Sequence, residues 1–278
     1  MKASKWRTVW VLAKRELRST MYGSGIYLTV SISLIVSSLV LYNQIKAVSR
    51  DQILITSSPI AYPLFIATGV CITYLALASL TSIARERDMQ TLELLFYGPV
   101  DHVSYVFSKY VKGILSYLFI ALFLTAFFIF AAITSNLGLS STFLVVLVLS
   151  LLLASCVIAF GVFVSSLTES VRTAILLFLG IVGALISIQI GLELLVGIGD
   201  ENLAPVLIFL RKSLSILHTG LKWISPFYYL DQGMEAVSLG SMGKYALSGI
   251  SSMIYSSVLL LLSVLALRRK GVRKSTGE

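Results

Sequence analysis

The chain is 278 residues long, 57% hydrophobic and only 13% charged, with a mean hydropathy of +0.91. Soluble domains carry roughly a quarter of their residues as Asp, Glu, Lys and Arg, so an ordinary soluble fold is excluded, and the same apolar surplus excludes a disordered chain. The 22 Lys and Arg against 13 Asp and Glu leave a formal charge of +9, which fits either nucleic acid or an anionic membrane surface until the positions of the basic residues are considered.

Residues 3–22 read as an interfacial helix. Trp6, Val9, Trp10, Ala13 and Leu17 recur at helical spacing, while Lys5, Arg7, Lys14, Arg15 and Arg18 cover the other side. Trp6 and Trp10 are expected at headgroup level with the basic face toward phosphates, and Gly23 and Gly25 would let the chain turn into the first span. A plain positively charged anchor is the alternative, but it would not require the 3.6-residue period. A secretory signal is a further reading. The apolar run is too long for one and no small-x-small cleavage site follows, so the first span is expected to stay in the mature protein.

Apolar runs long enough to cross a bilayer, about 20 residues each, occupy 25–45, 60–84, 113–135, 142–168, 173–199 and 246–267. They hold a single charged residue, Glu193, as expected when a charge at mid-membrane costs about 2.5–3.5 kcal/mol. The expected fold class is therefore an all-α membrane protein with six transmembrane helices in one domain. The fifth run can also end near Gly191 and continue along the interface.

Counting Lys and Arg in alternate loops sets the orientation. One side holds sixteen, in the N-terminal stretch, 85–112, 169–172 and the tail; the other, 46–59, 136–141 and 200–245, holds six. Both termini are expected in the cytoplasm and the protein in the plasma membrane. The tail residues Arg268, Arg269, Lys270, Arg273 and Lys274 would meet an anionic leaflet, each worth about 1 kcal/mol. The basic surplus is thus topology and lipid contact, and nucleic acid is not an expected partner.

The loop 85–112 between spans two and three reads as two short cytoplasmic helices. Glu86 and Asp88 are placed in the first turn of one, where acids suit the helix dipole, and Met89, Leu92, Leu95 and Phe96 form its apolar stripe. Gly98 and Pro99 stop it. Asp101 can cap the next, in which Val103, Val106, Phe107 and Tyr110 lead into span three. An amphipathic helix held there suits a partner's groove; the alternative is a helix lying against lipid or the bundle's own underside.

Small residues recur every four positions in span one (Gly25, Thr29, Ser33, Ser37), span five (Gly183, Ser187, Gly191) and span six (Ser248, Ser252, Ser256), which permits close helix approach. Phe119, Phe123, Phe127, Phe128 and Phe130 in span three suggest a lipid-facing helix. Cys71 and Cys156 fall inside apolar runs and read as small core residues rather than a disulfide. Glu193 stands evenly between a functional charge and one hydrated at the span's outer end. The outer loop 200–245, with Arg211, Lys212, His218, Lys222 and Trp223 among apolar residues, reads as an interfacial or re-entrant pair of helices. No metal site is expected, since His218 has no second histidine near it. Gly197 to Asp200 spell the G-x-G-D of intramembrane aspartyl proteases, but the other aspartates lie in loops and cannot face Asp200 within the membrane, so no catalytic residue is expected.

The string Glu86 to Val100 resembles the signature of ABC-2-type transporter permeases at Glu86, Thr91, Glu93, Leu94, Leu95, Pro99 and Val100, with Gly98 where the family often has a small residue. The basic N-terminal helix resembles the family's elbow helix, Gly161 to Ser170 its fourth-span ending, and Ser225 to Leu230 the segment before its last span. The resemblance points to the gliding-motility and copper-related branch. It implies a permease subunit, most simply of an exporter, that forms a homodimer or a heterodimer with a sibling permease, with spans one and five (Ser33, Ser37, Gly183, Ser187, Gly191) at the interface around the path. It also implies separate ABC ATPase subunits that bind ATP and Mg and drive the loop as a coupling element through Glu86, Met89, Thr91, Leu92, Glu93, Leu94, Leu95 and Pro99. The chain has no G-x-x-x-x-G-K-[ST] phosphate loop, so it is not expected to be an enzyme or to hold a cofactor itself. A non-transporting assembly factor and a secondary transporter are the alternatives; the latter should carry ionisable groups at mid-membrane. The transported substrate has no code in the sequence.

Overall fold

The computed structural model describes residues 5–51, 60–97, 100–135, 141–197, 205–222, 225, 228 and 242–270. Gly98, Pro99, part of the outer loop including Asp200 and Trp223, and the tail beyond Lys270 lie outside the described residues, as do the side chains of Glu193 and His218. In chain order the helices are α1 (Lys5–Tyr22), α2 (Ser24–Asp51), α3 (Ala61–Asp88), α4 (Thr91–Phe96), α5 (His102–Thr134), α6 (Ser141–Leu167), α7 (Val171–Gly197), α8 (Pro205–Lys222) and α9 (Met242–Lys270). No strand occurs among the described residues, and α2, α3, α5, α6, α7 and α9 are long and apolar enough to cross a membrane.

The most apolar helix, α6, is the axis of the bundle. In its most apolar stretch 61% of the residues are buried, against 6% in α7, as expected of a helix apolar on every side and surrounded by others. Its chief neighbours are α3 and α9. Both run parallel to it: Ala84 meets Ser165 and Arg87 meets Thr168 at the same sequence offset, and along α9 Gly249 lies beside Leu152 and Ser252 beside Cys156.

Apolar burial gives little net attraction in lipid, so these contacts depend on close approach and interhelical hydrogen bonds. Gly161 lets α6 lie directly on α3, because a Cβ there would stand 3.0 Å from Ser79 Cβ and 3.1 Å from the Ala76 carbonyl. The Ser165 hydroxyl accepts from two consecutive α3 amides, Ile83 (3.1 Å) and Ala84 (2.9 Å). Across to α5, the Tyr117 hydroxyl donates to Ser150 Oγ at 2.5 Å, while Tyr110 and Ser155 share a bond of 2.6 Å. Gly113 faces Ile158, whose side chain a Cβ would meet at 2.7 Å.

Two sequence expectations change here. Span three is not uniformly lipid-facing: Phe130 is exposed, whereas Phe128 is fully buried in the core. In span one the stripe Thr29, Ser33 and Ser37 is buried within the chain's own bundle, with Ser33 beside Cys71 of α3. Ser33 and Ser37 are therefore not available to a second subunit, because α3 already occupies their face.

Candidate functional site

The helix α5 has 33 residues and is about 50 Å long at 1.5 Å per residue, which exceeds the roughly 30 Å of a bilayer's hydrocarbon. The charged residues of its first turns, Lys109 and Lys112, and of the last turn of α3, Arg85 to Asp88, suit those turns to the region outside the apolar layer. Between them sits α4, six residues that cannot form a stable helix alone.

Helix α3 ends where Gln90 adopts a left-handed backbone, φ 57°, a conformation that costs an L-residue about 1–2 kcal/mol. The turn is held by the amides of Met89 and Gln90, which donate to the carbonyls of Arg85 and Arg87, both at 3.0 Å, a left-handed ending of the kind glycine usually provides. The Thr91 hydroxyl donates back to the Glu86 carbonyl at 3.1 Å. Leu92 is buried, Leu95 packs on the core, and Phe96 stacks on His102 with ring centroids 4.5 Å apart and meets Tyr105 edge-on at 5.5 Å.

This arrangement reverses the apolar stripe read from sequence. Leu92, Leu95 and Phe96 face the chain's own bundle, while Met89, Leu94 and Tyr97 point away from it, 59%, 71% and 84% exposed. Glu93 is half-buried and Thr91 exposed. Phe96 is drawn inward because stacking on His102 and Tyr105 desolvates a large ring.

Glu86 is the larger correction. It lies in the last turn of α3, not the first turn of a new helix, and its carboxylate turns into the protein. One oxygen accepts from the Lys109 ammonium and the other from the Tyr105 hydroxyl at 2.5 Å. Lys109 also reaches Glu16 of α1 at 2.6 Å, and its own side chain is only 2% exposed. A carboxylate at a helix C-terminus opposes the helix dipole; here the buried ammonium offsets it. With both oxygens engaged, Glu86 shapes the turn rather than offering itself to a partner.

Helix α1 lies along α5 and divides its apolar residues between two faces. Val9, Leu12, Ala13 and Glu16 face α5, whereas Trp6 and Trp10 are exposed about 70–110° around the helix at 100° per residue. Trp6 touches Phe107 edge-on at 6.1 Å. Arg15 and Arg18 are exposed, Arg18 over the Tyr22 ring. Val9 and Ala13, read as membrane-facing, are thus bundle-facing.

On the other side, Arg87 Nη1 donates to the Thr168 carbonyl at 2.6 Å, beside Glu169. Gly183 and Ser187 of α7 are exposed, and Gly191 lies near Leu214 of α8. No group of His, Cys, Asp and Glu suited to a metal occurs among the described residues.

Sequence reasoning missed Glu16, Arg87, Tyr105, Lys109 and Ser165. Two signals were present: Glu16 is the single acid of the first fifty residues, and Lys109 lies at helical spacing with Tyr105, Gly113 and Ser116 on what proves to be the buried face of α5.

No curated protein matches this chain. The family described as ABC-2 family transporter protein matches residues 10–271, from within α1 to just past α9. Nearly the whole chain is covered, and the match embraces all six apolar helices and the α3–α4–α5 turn. The protein therefore belongs to the ABC-2 transporter family, as a multi-pass membrane permease subunit of an ABC transporter.

Proposed function

We propose that this permease exports its substrate across the plasma membrane, driven by ATP hydrolysis on a separate ATPase subunit that docks on α4. The observation that carries this reading is the outward apolar set Met89, Leu94 and Tyr97 on an element anchored from behind by Leu92, Leu95 and Phe96. An anchored helix with its free apolar face turned away from the bundle suits a partner's groove. Glu93 beside it offers a carboxylate to a basic groove residue. The sixteen-to-six distribution of basic residues favours both termini and α4 in the cytoplasm, where ATP is available. Export is the direction implied by the resemblance of Glu86 to Val100 to ABC-2 permeases.

A dimeric assembly is part of the same reading. Helix α7 is the least buried span and presents Gly183 and Ser187 outward, small residues that admit a second helix at close range. ATP-driven closure of two ATPase subunits would then move the α4 helices, and through them the spans.

The test is purification of the tagged protein from native membranes, identification of what accompanies it, and assay of vanadate-sensitive ATP hydrolysis for wild type and Glu93→Arg. Recovery of an ATPase subunit that the variant loses or uncouples is expected. Absence of any nucleotide-binding protein and of ATPase activity in mild detergent overturns the reading and leaves a membrane assembly factor in its place.

A further inference from the structure

Glu86 and Arg87 are consecutive residues in the last turn of α3, five and four positions before α4 begins, yet their side chains leave in different directions. Glu86 binds Lys109, and Lys109 binds Glu16 at 2.6 Å, so this branch ends on α1. Arg87 binds the Thr168 carbonyl at 2.6 Å, just past the end of α6. From there the route to α7 is short. Ser170 and Thr173 cap the start of α7 reciprocally, each backbone amide donating to the other's hydroxyl at 3.3 Å, a pairing that ties the turn to the helix it opens.

The two links differ in how much packing stands beside them. Helix α1 packs on α2 and α5 but has no major contact with α3, so the ionic bridge through Lys109 is its direct polar connection to the turn before α4. Helix α7 is the least buried span; it packs on α3 directly, and Arg87 adds a polar link at the turn that opens it.

We propose that the last turn of α3 is a junction that divides the displacement of α4: Glu86, through Lys109, carries it to Glu16 and α1, and Arg87, through the Thr168 carbonyl, carries it to the start of α7. The proposal rests on the coupling role of α4 given above. Lys109 and Arg87 are positioning residues in it. The Lys109 bridge is shielded from water, which would otherwise compete for its ends, so it transmits rather than slips. Two adjacent residues thus let one six-residue helix act on both the interfacial helix and the most exposed span.

The test is hydrogen–deuterium exchange on the complete permease–ATPase complex in lipid nanodiscs, nucleotide-free against ADP-vanadate. In wild type, nucleotide is expected to change exchange in α4, α1 and the α6–α7 turn. In Lys109→Met the change in α1 is lost while those in α4 and the α6–α7 turn remain; in Arg87→Gln the pattern is reversed. Glu16→Gln, which leaves the Lys109–Glu86 pair in place, repeats the Lys109→Met result if that variant does not fold, and Lys109→Arg restores the α1 response. If both variants keep all nucleotide-dependent changes, or lose them in both elements alike, the links are static fasteners and the junction is refuted. No nucleotide-dependent change in wild-type α4 would refute the coupling role itself, and the junction with it.

Discussion

The Lys109 ammonium lies 2.6 Å from the Glu16 carboxylate although 93 residues separate them in the chain. The same ammonium holds Glu86, so three helices, α1, α3 and α5, meet at one buried positive charge between two carboxylates. Removing one partner from such a group costs more than the group contributes, because the remaining charges stay desolvated and now repel.

Lys109→Met should therefore lower stability sharply. Breaking a fully buried pair costs about 3–5 kcal/mol, and the lower end applies here because the Glu16 and Glu86 side chains keep 16% and 23% exposure. The check is the thermal midpoint in detergent. Adding Glu86→Gln to Lys109→Met should restore part of the loss, a non-additivity that a double-mutant cycle measures.

Gly161→Ala should destabilise by about 1–3 kcal/mol through overpacking. Its new Cβ would meet Ser79 Cβ and the Ala76 carbonyl at 3.0 and 3.1 Å, and α6 and α3 would have to separate. Gly69→Ala, with open space at its Cβ, should leave the midpoint unchanged or raise it. Equal shifts for the two variants would show that the seam tolerates the extra methyl.

Leu92 and Leu94 stand two positions apart on α4 and should fail differently. Leu92→Ala, at a buried position, should reduce the permease's own thermal stability by about 2–3 kcal/mol. Leu94→Asp, 71% exposed, should leave that stability intact and abolish co-purification of the ATPase subunit. Retention of the ATPase by Leu94→Asp would place the docking surface elsewhere.

Trp10 should report the bilayer surface. In a chain keeping Trp10 while Trp6 and Trp223 are replaced by Phe, fluorescence should be quenched more by lipids brominated near the headgroup than by lipids brominated deep in the acyl chain. Quenching by aqueous iodide alone would mean that the exposed tryptophan edge of α1 faces water.

Much of the fold was legible because the relevant energies are local. A run such as 142–168 announces itself through the cost of placing charge in hydrocarbon, whatever its neighbours are. The amphipathic period of α1 and the stop after Phe96 were readable for the same reason. The facing of α4 was not. Leu92 and Leu94 are the same residue type, and only the position of α5, with His102 and Tyr105 waiting for Phe96, decides which leucine is enclosed. Within the bundle the difficulty is greater, since lipid and protein interior are equally apolar and periodicity does not separate them. That is why Phe128 and Phe130 look alike in sequence yet lie on opposite sides of α5.

By itself the sequence determined the all-helical class, the six apolar runs, the basic asymmetry and the resemblance carried by Glu86 to Val100, because each is a property of a contiguous stretch and its transfer into lipid. Tertiary structure alone decided that Glu86 turns inward to Lys109, that Glu16 joins them, and that Gly161, Ser165 and Thr168 seam α6 to α3. Those outcomes depend on which distant charges and hydroxyls find one another where water is excluded. An unpaired group there is costly, and no short stretch of chain contains both members of the pair.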